Sequence, residues 1–88
     1  MNQSILFPDI QNWNEEKKVI NFSAQQSGAL IECSISISQL ELLSDKKIVS
    51  PQLALEIFKE YRFDIEELAE ELIEQEEFDA SGSIEIKA

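Results

Sequence analysis

Ile65, Leu68, Ala69, Leu72 and Ile73 recur at i, i+3, i+4, i+7 and i+8, a spacing that gathers them into one stripe on a helix. Nine carboxylates (Asp64, Glu66, Glu67, Glu70, Glu71, Glu74, Glu76, Glu77 and Asp79) run through the same segment, half of the 18 acids in the chain, with no base among them. The pattern predicts an amphipathic helix with one core face and one anionic face. Like charges one turn apart at 66/70, 67/71 and 70/74 each cost about 0.2–0.5 kcal/mol, or roughly 1 kcal/mol together. Burying Ile65, Leu68, Leu72 and Ile73 is worth about 1.5–3 kcal/mol each before chain entropy is subtracted, so packing outweighs repulsion. Asp64 is expected at the N-cap with Glu67 reaching back to it, and Phe63 is expected to staple onto Leu68. At the other end Glu74, Glu76 and Glu77 occupy positions where the helix dipole favours bases.

Elsewhere the periodicity changes to two. Ile20, Phe22 and Ala24 alternate with Val19, Asn21 and Ser23, and after the turn signal Gln26-Ser27-Gly28 the residues Ile31, Cys33, Ile35 and Ile37 alternate with Leu30, Glu32, Ser34 and Ser36. These make an antiparallel hairpin with one buried face. Ile5-Leu6-Phe7, closed by Pro8, predicts a short first strand, and Asp9 to Glu16 reads as a loop. Ser38 and Glu41 have capping-box spacing ahead of a two-turn helix containing Leu40, Leu42 and Leu43, which Ser44-Asp45-Lys46-Lys47 ends. Ser50-Pro51 caps a second helix whose Leu53, Ala54, Ile57, Phe58 and Tyr61 share a face. A bend at Arg62-Phe63 separates it from the acidic helix, and Ser83 to Lys87 predicts a last strand with Ile84 and Ile86 inward. The expected architecture is a single α+β domain over residues 1–88, two-layer, with a mainly antiparallel sheet of three to four strands and three helices on one face, in the order βββαααβ.

Composition narrows what such a domain can do. The net charge of −11, with only seven bases scattered along the chain, argues against direct binding of nucleic acid, whose affinity comes largely from Lys and Arg. No apolar run approaches membrane-spanning length, and the amino terminus Met1 to Pro8 predicts neither signal peptide nor anchor. One cysteine excludes an intramolecular disulfide, and a reducing cytoplasm is the expected setting.

The order of Phe22, the turn, Ile31-Glu32-Cys33-Ser34-Ile35-Ser36, Leu40, and later Phe58, Arg62, Ile65, Ala69 and Ile73 resembles the YrdB-like family of small bacterial proteins over nearly the whole chain. The resemblance implies an α+β fold and a cytoplasmic bacterial protein. It carries no activity, cofactor or site residues with it.

Candidate chemistry is sparse. Without His, the usual triads, zinc hydrolase sites and proton shuttles are excluded, and the chain is expected to be neither an enzyme nor a cofactor binder. Cys33 lies on the inward face, which predicts an inert thiol. Glu67, Glu70, Glu71 and Glu74 resemble one helix's share of a carboxylate metal site, but no second cluster faces them, so a solvated face is the expected reading and no metal is assigned. Trp13 and Arg62 are residue types that anchor interfaces; the structural alternative is that Trp13 covers the core edge and Arg62 pairs with a neighbouring Glu. Solubility at a net charge of −11 is by itself the expected account of the acidic face; as a function, the best hypothesis is a protein-interaction module that docks on a basic partner surface through Glu67, Glu70, Glu71 and Glu74, with Trp13 and Arg62 as further candidates, acting as a monomer or weak homodimer. One alternative is a nucleic-acid mimic that occupies the basic cleft of a nucleic-acid-binding protein. The other is a small-ligand binder or enzyme with no recognisable motif, for which a deep pocket is the indicator.

Overall fold

The computed structural model describes residues 5–87. The reading of the amino terminus as free of a targeting segment falls partly on residues 1–4, outside the described residues. Five strands and three helices follow in order: β1 (Ile5–Leu6), β2 (Gln11–Asn14), β3 (Val19–Gln26), β4 (Ala29–Ser36), α1 (Ile37–Ser44), α2 (Pro51–Glu60), α3 (Arg62–Glu74) and β5 (Ile84–Glu85). The α+β class and the mainly antiparallel sheet stand as expected, with one strand more than the sequence pattern supplied.

β3 and β4 form the centre of the sheet, antiparallel from Val19↔Ser36 to Gln26↔Ala29. Ser27 (φ 53°) and Gly28 (φ 84°) turn the chain between them. Positive φ at both central residues is what a type I′ hairpin turn requires, and Gly28 adopts it without a Cβ penalty. β1 and β2 lie in succession along the far edge of β3, paired at Ile5↔Gln26 and Gln11↔Phe22 respectively. On the other side β5 joins β4 in parallel, at Cys33↔Ile84 and Ser34↔Glu85.

β2 corrects the reading of residues 9–16 as a loop. Gln-Asn-Trp-Asn contains no β-branched residue and so gives no strand signal, but the exposed edge of β3 supplies a ladder that overrides local preference. Trp13 therefore sits in a strand, opposite Ile20.

The three helices cover the face carrying Ile20, Phe22, Ala24, Cys33 and Ile35, each at most 2% exposed. α3 buries Ile65, Ala69 and Ile73, with Leu68 and Leu72 packed partly buried against the same core, so the predicted stripe points inward. α2 starts as read, Ser50 Oγ accepting from the Leu53 N–H at 3.1 Å with Pro51 at the first position. Ile84 and Ile86 close the core at 0% and 2% exposure.

Three helix boundaries differ from expectation. α1 begins one residue after Ser36, whose Oγ accepts from the Gln39 N–H at 3.2 Å; Ser38 is not the cap, and Ile37 belongs to the helix. The Glu41 carboxylate instead accepts from the Ile48 N–H at 2.9 Å, holding the α1–α2 connection. The break between α2 and α3 falls at Tyr61 (φ −103°, ψ 21°), one residue before the predicted bend, and among the described residues no side chain caps α3. Asp64 lies in the first turn, where its charge still suits the positive helix end. Phe63 is 86% exposed, so the staple to Leu68 does not form: Leu68 turns toward the core and Phe63 toward water.

Candidate functional site

Glu67, Glu70, Glu71 and Glu74 occupy one face of α3, opposite its buried stripe, because positions three, four and seven apart return to the same side of a helix. Glu67, Glu71 and Glu74 are exposed and Glu70 is half-buried. None of the four has an ion pair among the described residues. The row is therefore an uncompensated band of negative charge on a rigid support.

Glu66 behaves differently. Its Oε2 accepts from Arg62 Nε at 2.7 Å, one helical turn back, and both side chains are about one-fifth exposed. Arg62 also donates from Nη1 to Gln11 Oε1 at 2.7 Å and from Nη2 to the Pro8 carbonyl at 2.8 Å, and its Cζ lies 5.7 Å from the centre of the Phe58 ring. Asp9 adds a weaker, solvent-exposed contact at 3.5 Å. The structure thus places Arg62 in an intramolecular clamp that ties the β1–β2 connection to the first turn of α3, away from the open surface.

Trp13 is half-buried against the core, and its indole N–H donates to Glu15 Oε1 at 2.8 Å. Glu15 also pairs with Lys18. The Lys18 ammonium and the indole N–H together hold the Glu15 carboxyl below its ordinary range. Trp13 and Arg62 are therefore not part of the carboxylate band; each is held by neighbours within the chain.

Burial and the nearby Glu32 charge push the Cys33 thiol up to about 12, a weak nucleophile at neutral pH. The sheet face turned from the helices carries Asn21, Glu32, Ser34 and Glu85 in an open depression of about 280 Å³ that also meets Lys17 and Asp79. Among the described residues no three His, Cys, Asp or Glu side chains are grouped to hold a metal ion, and no helix is long and apolar enough to cross a membrane.

One feature of the surface was missed by sequence reasoning. Ile5, Leu6 and Phe7 line one side of an open groove of about 490 Å³, and Phe63, Glu66, Glu67 and Glu70 of α3 line the other. The only signal available was that Phe63 shares a helix face with Glu67, Glu70 and Glu74 at i+4, i+7 and i+11, which sets it outside the apolar stripe.

The α+β fold recurs in a relative of known structure. Residues 5–86 match the family described as "Protein of unknown function (DUF1488)", and the chain belongs to that family. It is 38% identical over 82 residues to "Uncharacterized protein YrdB" of Escherichia coli strain K12, covering 93% of this chain and 94% of the relative. The protein of the same name from Shigella flexneri is 37% identical over the same length and coverage. Among solved structures, a DUF1488-family protein of unknown function from Shewanella loihica matches with a TM-score of 0.93 at 47% identity, covering 99% of this chain and 96% of that one. The resemblance drawn mostly from core positions is thereby borne out.

Proposed function

We propose that this chain is a non-enzymatic protein-interaction module that docks on a basic surface of a partner protein through Glu67, Glu70, Glu71 and Glu74. The observation that carries the reading is the contrast along α3: Glu66 is paired with Arg62, whereas the four residues on the outer face make no ion pair among the described residues. Charge arranged this way steers encounter with a cationic surface and falls off with salt. A reducing cytoplasm suits the chain, since its one thiol needs no partner in the fold.

The test is affinity capture from native-cell extract at low and high salt, using the wild type and a variant with all four residues changed to Gln. Because the changes relieve like-charge pairs, the variant is expected to fold at least as well. A partner retained by the wild type at low salt and lost in the variant and at high salt supports the reading. Displacement of that partner by DNA or RNA would reassign the face to nucleic-acid mimicry, and equal recovery of every partner by both proteins refutes docking through this face.

A further inference from the structure

We propose that the groove between β1 and the first two turns of α3 receives an apolar, Lys- or Arg-bearing segment of a partner protein, with Phe63 as its hydrophobic contact and Glu67 and Glu70 pairing its bases. This rests on the interaction reading above and gives it a location and a ligand chemistry.

Singly exposed apolar residues are ordinary on protein surfaces; a concave group of them is not. Phe63 is 86% exposed and Leu6 64%, and they line one groove with the partly buried Ile5 and Phe7. Aromatic side chains in such positions are the common anchors of interfaces, because they bury much area while losing little rotamer freedom. The groove is already built in the free chain. Arg62 fixes both walls at once, holding the Pro8 carbonyl beyond β1 and Glu66 on α3, so a ligand need not order them.

Charge selects the occupant. No Lys or Arg lines the groove among the described residues, and the Arg62 guanidinium is already engaged. Glu67 and Glu70 make no ion pair among the described residues. An apolar segment with acidic flanks would be repelled. A second copy of this chain, at net charge −11, would bring the same carboxylates against the same wall. An apolar segment carrying bases satisfies both walls.

The probe is a short synthetic peptide of alternating Leu and Lys, fluorescently labelled and titrated with the full chain by anisotropy. Two control peptides replace Leu by Ser or Lys by Glu. Saturable one-to-one binding is expected, at least about tenfold tighter than for either control. Phe63→Ser should weaken it at least about tenfold, whereas Leu42→Ser, which removes a 69% exposed side chain outside the groove, should leave it unchanged. Circular dichroism checks that each variant is folded.

Equal loss with Phe63→Ser and Leu42→Ser, or no saturation, overturns the proposal. If Phe63→Ser binds like wild type while Gln at positions 67, 70, 71 and 74 abolishes binding, the groove is refuted and the anionic face stands. If neither variant changes binding, both readings fall. Self-association by sedimentation velocity that disappears in Phe63→Ser would assign the groove to a second copy and also overturn it.

Discussion

Replacing Arg62 with Ala is expected to be the most damaging single change at a residue that is not apolar. The substitution removes three hydrogen bonds of 2.7–2.8 Å, to Glu66, Gln11 and the Pro8 carbonyl, together with the guanidinium over Phe58. Hydrogen bonds to charged groups contribute about 1.5–3 kcal/mol net each, but bonds sharing one side chain do not add. Arg62 and Glu66 are also about one-fifth exposed, so water can reach the carboxylate left behind. A total loss of about 2–4 kcal/mol follows, against an expected stability of roughly 5–12 kcal/mol for a domain of this size. For such a domain that lowers Tm by about 10–30 °C. Urea unfolding followed by circular dichroism measures the loss directly. Combining the change with Glu66→Ala in a double-mutant cycle should give a coupling of about 1–2 kcal/mol. Arg62→Lys should recover less than half of the loss, because a single ammonium cannot span acceptors on two separate elements. A loss below about 0.5 kcal/mol for Arg62→Ala would mean that the clamp is worth no more than a surface ion pair, and would refute the reasoning.

Other residues give independent checks. Cys33 should react with thiol reagents only as fast as the protein opens, with full labelling in denaturant; rapid labelling of the native protein at neutral pH would contradict its burial and raised pKa. Asp79 is held below its ordinary range by the Ser83 backbone N–H, the Ser81 hydroxyl and further N–H groups of its loop. Its contribution to stability should therefore be fully present above the unfolded carboxyl range near about 4, and lost as pH falls through the lower folded value. The difference in urea midpoint between wild type and Asp79→Ala should shrink on acidification, and a difference that grows would reverse the sign. Glu74→Lys should stabilise by about 0.5–1 kcal/mol at low salt, since it turns a repulsive 70/74 pair attractive and suits the negative helix end. The gain should fade in concentrated salt, and a destabilised variant would show that Glu74 has a local partner.

What the sequence displayed was periodicity, and what it concealed was pairing between distant segments. The β3–β4 hairpin, the stripe of α3 and the inward Ile84 and Ile86 were readable because each repeats at two or three to four residues, and the start of α2 because Ser50-Pro51 is a local cap. β2 was not, because only its pairing with the edge of β3 makes Gln11–Asn14 a strand. The caps misled for a related reason: Glu41 could close a local capping box but accepts instead from Ile48, seven residues on. At the surface the carboxylate row followed from spacing alone. The apolar half of the groove needed the 54-residue link from Arg62 to Pro8, for which no local pattern exists.

The parallel seat of β5 leads to an expected order of assembly. β3 and β4 meet through a two-residue turn, whereas the connection from β4 to β5 contains all three helices. Short-range pairing forms early and the long loop closes late, so the sheet should knit from its middle outward and be sealed by its carboxy-terminal strand. In native-state hydrogen exchange the Ile86 amide, bound to the Ser34 carbonyl at 2.8 Å, should open ahead of the hairpin amides, a first seam to part although the isoleucines beside it are among the most deeply enclosed residues of the chain.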